Sequence, residues 1–357
     1  MRILILTPTA LPTVTGNAMT TERWRRSLAA RGEEVRVLAT DGLQAAALGR
    51  EIRTFSPDIL HAHHAYLTGA LLLDPEVQSV CNGLPMVVSP GGTDVHLDVT
   101  MKERREIVAR ITMRAQAIVV QEDDIASRLL DLMPRLADRI VRVPKSFVWL
   151  GRDPFDLRAA AGCGPGDFLF FLPAGVRPVK GNLECLLALE RVYALRPRVR
   201  AVFAGPSLDK EYAVSFEREI ERLSDFVRWI PPISPQAMRS AYEGADVVLN
   251  ASFSEGLSNA LLEAAAAGKP VLASDIPGNR WAVLGVPGES PSGCLFDPLD
   301  PDDFLRQALL LIDNEGQRRN LGKAGRERAR RWPTPEDEAA ALLRAYCRAL
   351  GKPSCVR

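Results

Sequence analysis

Two glutamates in the second half of the chain, Glu255 and Glu263, lie in the segment Asn250-Ala251-Ser252-Phe253-Ser254-Glu255-Gly256-Leu257-Ser258-Asn259-Ala260-Leu261-Leu262-Glu263. The run reads as a strand ending near Asn250, a loop, and a helix opening about Ser258, with Ser258 as its N-cap. Backbone N–H groups of Gly256, Leu257 and Ser258 then stand at a helix N-terminus, where free donors and the peptide dipole attract anions. Gly256 lets the backbone approach a ligand closely. A carboxylate accepts two hydroxyl hydrogen bonds at once, so the two glutamates can grip two diols on either side of a phosphate. The alternative is a loop charge and a solvated helix residue. Against it, the neighbours of Glu263 are Ala260, Leu261, Leu262, Ala264, Ala265 and Ala266, and an acid in so apolar a helix needs a partner.

A second segment, Ala174-Gly175-Val176-Arg177-Pro178-Val179-Lys180-Gly181-Asn182, follows an apolar run at Phe168–Leu172. Two cations three residues apart on a glycine-rich turn at a strand's carboxyl end suit a diphosphate. A departing diphosphate gains negative charge in the transition state, so Arg177 and Lys180 there would accelerate its release. Gly175, Gly205 after the strand Ala201–Ala204, and Ile230 at the end of Val227–Ile230 join them on the donor side. Gly16 and Asn17, in the loop after the first strand and before a helix expected near Thr20, offer another close backbone approach.

Ser89-Pro90-Gly91-Gly92-Thr93-Asp94 follows the strand Met86–Val88, and His63 and His64 end the strand before it. His63, His64, Gly92, Thr93 and Asp94 are therefore the acceptor-side candidates; Asp94 either orients an acceptor or caps the next helix. A metal reading of His61, His63 and His64 is set aside because no acidic ligand accompanies them. Asp297-Pro298-Leu299-Asp300-Pro301-Asp302-Asp303 reads as a helix start rather than an acid cluster for a divalent ion. No metal and no bound cofactor are expected.

The elements that must position these residues follow one grammar. Ile3–Leu6, Val35–Leu38, Ile59–Leu60, Met86–Val88 and Ile118–Val120 are continuous apolar runs, as in strands covered on both faces. Charged amphipathic stretches alternate with them, which implies a doubly wound α/β domain. The loose patch Gly151 to Asp167 interrupts the pattern. It then restarts with strands at Phe168–Leu172, Ala201–Ala204, Val227–Ile230, Asp246–Leu249, Val271–Ala273 and Gly293–Phe296. The expected domains are residues 1–150, completed by a C-terminal helix over 336–350, and residues 167–332.

With 357 residues, two cores are expected, and a net charge of +1 gives no reason for a nucleic-acid partner. The clusters Arg23, Arg25, Arg26 and Arg326, Arg328, Arg330, Arg331 read as solvated helix faces, with a peripheral contact to acidic membrane as the alternative. Six cysteines, at 81, 163, 185, 294, 347 and 355, show no metal or disulfide-framework spacing, which fits a reducing cytoplasm. No apolar run is long enough for a transmembrane helix. Oligomeric state is not legible.

Glu255 and Glu263, Arg177 and Lys180, Gly16 and the two-domain layout together resemble the family 4 retaining glycosyltransferases of GT-B fold, two Rossmann-like domains facing a central cleft. Ser254-Glu255-Gly256-Leu257-Ser258, Gly268-Lys269-Pro270-Val271 and Ile276-Pro277-Gly278-Asn279 follow the family run. The resemblance implies that Glu255 holds donor-sugar hydroxyls, Glu263 the ribose, and Arg177 and Lys180 the diphosphate of a UDP-sugar. Thr15-Gly16-Asn17, Thr20, Arg23 and Gly91-Gly92-Thr93-Asp94 are similar to the glycosyltransferase 1 domain-containing protein 1 type. Gly16-Asn17, Thr20 and Arg23-Trp24 are also similar to bacterial selenosugar synthases, which implies an alternative selenophosphate-like acceptor. Where many family members carry a His near the donor sugar, Gly91 stands here. Two other classes compete: a nucleotide-sugar epimerase on this architecture, and a non-catalytic sugar-nucleotide sensor. The acceptor is not identified.

Overall fold

A computed structural model describes residues 1–353. They form two compact units, one of Met1–Val148 with the segment from Pro333 onward, the other of Trp149–Trp332. The boundary thus precedes the glycine-rich patch, in which Leu157–Ala160 is already helical.

The first unit is built on six parallel strands: β1 (Arg2–Thr7), β2 (Glu34–Ala39), β3 (Ile59–His63), β4 (Met86–Ser89), β5 (Ala117–Val120) and β6 (Ile140–Arg142). Their order is β2-β1-β3-β4-β5-β6. β1 is buried on both faces because helices cover both. Leu4 and Leu6 join Leu60, Val88 and Ile118 on one side, whereas Ile3 and Ile5 join Trp24, Leu28 and the helix Pro335–Ala349 on the other. That last helix starts with Pro335 at its first turn and a reciprocal capping box between Thr334 and Asp337. β6 escaped the sequence reading, since two apolar residues beside Arg142 give no run to detect.

The second unit holds β7 (Phe168–Pro173), β8 (Val199–Ala204), β9 (Val227–Ile230), β10 (Val247–Asn250), β11 (Val271–Ser274) and β12 (Gly293–Phe296), in the order β12-β11-β10-β7-β8-β9. All pairs are parallel. Phe170, Phe203, Leu249 and Leu272 face one core, and Leu169, Phe171, Val202 and Val248 the other, as the pleat dictates. The strand order reverses between β1 and β3 in the first sheet and between β7 and β10 in the second. Loops diverge at such points and leave a crevice beyond the carboxyl ends of the strands.

Three expectations need correction. The first helix begins at Gly16, not near Thr20, because the Thr15 hydroxyl caps it by accepting Ala18 N–H at 3.2 Å. Arg23 and Arg328 are not on solvated faces: both are buried, Arg23 against Glu338 and Arg328 against carbonyls of Ala282 and Ser290. Cys347 is disulfide-bonded, although no disulfide framework was expected; Cys81, Cys163, Cys185 and Cys294 are free, and Cys355 lies outside the described residues. Among the described residues no helix is long and apolar enough to cross a membrane.

Candidate functional site

In the second unit the two loops that diverge at the strand reversal carry the motifs. After β7 the chain runs through Gly175 and Arg177, turns at Pro178–Lys180, and enters the helix Asn182–Leu195 at Gly181. Gly181 takes a left-handed conformation (φ 59°), and a Cβ there would stand 2.3 Å from the Ala251 carbonyl oxygen. Glycine therefore allows the β7 loop to lie against the end of β10. Phe253 N–H donates to Val179 O at 2.9 Å and ties the loops together.

This brings Lys180 Nζ into an ion pair with Glu255 Oε1, which also accepts the Ser252 hydroxyl at 2.8 Å. Burial alone would raise the Glu255 carboxyl, but Lys180, Ser252 and the Arg177 charge outweigh it and hold it below the usual range. Burial pulls the Arg177 guanidinium down from its ordinary value, with Glu255 opposing. The Arg177 Nε is buried and meets no hydrogen-bond partner, a donor in want of an oxygen.

The Glu255 loop is held by a buried polar network that sequence reading did not resolve. Asn250 Nδ2 donates to Ser258 Oγ at 3.0 Å, and Asn250 Oδ1 accepts Ser252 N–H at 3.1 Å. Ser274 Oγ donates to Ser252 O at 2.5 Å, and Asn279 Nδ2 donates to Ser274 O at 3.0 Å. A Cβ on Gly278 would fall 2.2 Å from Glu255 O and 2.3 Å from Gly256 O, so the helix Pro277–Leu284 presses directly on this turn. The signal was present in Asn250, Ser252, Ser274 and Asn279, polar residues bordering apolar strands. Their pairing crosses three elements and has no local spacing.

Ser258 occupies the N-cap of the helix Asn259–Ala267 but makes no side-chain cap, its hydroxyl being taken by Asn250. This corrects the expected capping role. The helix N-terminus, with Gly256 and Leu257 before it, keeps its dipole for an anion. Glu263, one turn on, is half-buried beside the fully buried Tyr242; burial and then that carboxylate push the phenol well above its usual range.

Gly175, Gly205 and Ile230 are placed together by packing. A Cβ on Gly175 would meet Leu208 Cδ1 at 2.4 Å, and one on Gly205 would meet Ala174 O at 2.2 Å. Gly205 N–H donates to Ile230 O at 3.4 Å.

In the first unit the reversal between β1 and β3 gathers Asn17, His64 and Gly91. A Cβ on Gly91 would lie 3.2 Å from His64 Cδ2 and 3.5 Å from Asn17 Oδ1. His64 Nδ1 accepts Leu67 N–H at 3.2 Å, so its proton sits on Nε2, 3.0 Å from Thr93 Oγ1. Asp94 is fully buried and braces the turn: its carboxylate accepts Ala65 N–H at 2.5 Å, Gly91 N–H at 3.0 Å and Gly92 N–H at 2.9 Å. Gly92 itself takes φ 105°. His63, at the end of β3, is 5% exposed.

Comparison with known proteins follows from this geometry. Residues 156–328 match the family described as Glycosyl transferases group 1. The chain is 27% identical over 252 residues to glycosyltransferase 1 domain-containing protein 1 of Xenopus tropicalis, covering 69% of this chain and 71% of that protein. It is 33% identical over 192 residues to the D-inositol 3-phosphate glycosyltransferase of Xylanimonas cellulosilytica, but covers only 43% of that protein's length. Among solved structures, sucrose-phosphate synthase from Thermosynechococcus elongatus superposes with TM-score 0.79 at 18% identity, covering 98% of this chain and 99% of that one. HepE of Anabaena in complex with UDP-glucose superposes with TM-score 0.78 at 16% identity, covering 97% and 99%. These likenesses establish a shared GT-B fold of two parallel-sheet units.

Proposed function

We propose that this chain, whose residues 156–328 match the Glycosyl transferases group 1 family, is a transferase that moves a sugar from a nucleotide diphosphate donor, a UDP-sugar, to an acceptor with retention of configuration and without a metal ion. The observation that carries this reading is the cluster of Arg177, Lys180 and Glu255 at the strand reversal of the second unit, one helical segment away from Glu263. The buried, unpartnered Arg177 Nε suits a phosphoryl oxygen. The likeness in fold to a protein solved with UDP-glucose supports uridine as the base.

On this reading Arg177, Lys180 and the helix N-terminus at Ser258 take up the charge that grows on the leaving diphosphate. Glu255 holds sugar hydroxyls and Glu263 the ribose. With the positive charge supplied by side chains, no divalent ion is required for that step. No carboxylate is assigned as a nucleophile: retention proceeds with the leaving phosphate accepting the acceptor's proton. His63, His64, Gly92 and Thr93 face the acceptor, Gly16 and Asn17 the donor, and Asp94 shapes the turn after β4 instead of touching substrate.

The test is incubation with UDP-, GDP- and ADP-sugars. Free UDP with an α-configured product from an α-configured donor supports the proposal. A converted sugar still attached to its nucleotide would mean epimerisation, and an unchanged ligand that nonetheless binds would mean a sensor; either result overturns it.

A further inference from the structure

Tyr242 lies in the last turn of the helix Met238–Gly244 and is fully buried. Its ring meets Phe171 edge-on at 5.4 Å and Trp149 at a tilt at 5.9 Å. Leu261, Ala264 and Ala267 of the helix Asn259–Ala267 belong to the same apolar cluster. A strand, the opening residue of the second unit and a helix thus pack around one ring, and close packing fixes where its oxygen stands.

The hydroxyl adds nothing to that packing, since a phenylalanine would fill the same shape. Oη is buried and meets no partner in ordinary hydrogen-bond geometry, an arrangement that costs free energy. What stands beside it is Glu263. Glu263 lies one turn before Ala267, and residues four apart share a helix face, so it lies on the side that packs against Tyr242. Burial first, then the Glu263 charge and hydrogen bonding to that carboxylate, push the phenol well above its usual range, which keeps the O–H a donor at neutral pH. Glu263 itself is half-buried and keeps an open side. A carboxylate has two oxygens, so one can be engaged from the core while the other meets a ligand. A carboxylate held in this way loses less freedom on gripping a diol than one that swings.

We propose that Tyr242 is a positioning residue for the donor: its O–H donates to one oxygen of Glu263 and so fixes the other for the vicinal diol of the nucleotide ribose. Tyr242 does not touch the ligand; Glu263 does. The proposal rests on the reading of Glu263 as the ribose ligand and adds the group that orients it.

Calorimetric titration of the whole chain with UDP and with 2′,3′-dideoxy-UDP, which lacks the diol, tests it. The native chain should prefer UDP by about tenfold or more. Tyr242→Phe should lose most of that preference, by binding UDP more weakly while binding the dideoxy form as the native chain does. A merely structural role would weaken both ligands alike, and that result, or a preference that survives intact, would overturn the proposal. A second measurement needs no nucleotide. The chain has five tyrosines, so ring-labelled tyrosine gives five carbon resonances, assigned by single Tyr→Phe replacements or, should Tyr242→Phe not fold, by elimination through the other four. Glu263→Gln should shift the Tyr242 resonance, and UDP should shift it in the native chain although the ring is fully buried. A Tyr242 resonance indifferent to Glu263→Gln would also overturn the proposal. The two readings fail differently. A native chain with no preference for the diol removes Glu263 from the ribose, and this proposal with it; a preference that outlasts Tyr242→Phe removes this proposal alone.

Discussion

Lys180 and Glu255 are 75 residues apart in the chain and form an ion pair that bridges β7 and β10, the two strands at which the order of the second sheet reverses. The pair keeps opposite charges within reach of one ligand, and it makes the loop after β10 depend electrostatically on the loop after β7. Removing either partner leaves the other as a poorly solvated charge.

Acid should weaken the pair in a defined direction. The folded Glu255 carboxyl is held below its unfolded value, so its contribution to stability is present at neutral pH and lost as pH falls through the folded value. In Lys180→Met the main opposing charge is gone, and burial then favours the protonated acid. The melting-temperature deficit of Lys180→Met relative to the native chain should therefore shrink between neutral pH and the acid limb. A deficit that stays constant or widens on acidification would contradict the pairing.

Arg177 and Lys180 should matter more in the transition state than in the bound donor. Either alanine variant should lose on the order of a hundredfold in turnover, with a smaller rise in the donor Michaelis constant. Both cations act on one growing charge, so the double variant should fall well short of the product of the singles. Steady-state kinetics of the three variants decides this; near-normal turnover in both single variants would reduce these cations to surface features.

Glu263→Ala should weaken donor binding by one to two orders of magnitude, through loss of charge-assisted hydrogen bonds worth roughly 1.5–3 kcal/mol. Calorimetric titration with UDP measures it. An unchanged dissociation constant in a folded variant would remove Glu263 from ribose recognition.

Asp94→Asn should act on stability first. The carboxylate accepts three backbone N–H groups in a fully buried setting. An amide keeps one acceptor oxygen and turns an N–H toward its neighbours, a loss of about 2–3 kcal/mol. The denaturant midpoint should drop accordingly. A midpoint equal to that of the native chain would mean that the turn after β4 does not need this brace.

Chelation offers a direct check on charge supply. Transfer should continue in excess EDTA, because Arg177 and Lys180 provide the positive charge at the diphosphate. Activity lost to EDTA and restored by magnesium or manganese would refute that assignment.

Much of the fold was legible because its strands are continuous apolar runs and its phosphate-type turns recur after strands. Arg177, Lys180, Glu255 and Glu263 announced themselves by residue type at short spacing in loops and in an otherwise alanine-rich helix. What stayed hidden has partners far along the chain. Arg23 lies 315 residues from Glu338, so its cluster looked like a solvated face when read locally. Ser89 looked like part of a turn, and its place between two imidazoles depends on the register of β3 against β4, where His63 is paired with Ser89. Gly16 was read as loop because glycine rarely opens a helix, and Thr15 as its cap became visible only through its bond to Ala18.

The helix Pro335–Ala349 carries a consequence for the order of assembly during synthesis. Glu338 accepts Arg23 Nε at 2.8 Å, Trp24 Nε1 at 2.7 Å, Gln121 Nε2 at 2.7 Å and Ser146 Oγ at 2.5 Å, all donors from the opening 148 residues. Until residue 338 leaves the ribosome these four donors have no common acceptor, and Ile3, Ile5 and Trp24 lack their cover. The second unit, by contrast, is contiguous from Trp149 to Trp332. It can close on itself while the earlier-made half still waits, so the part translated first is the part completed last.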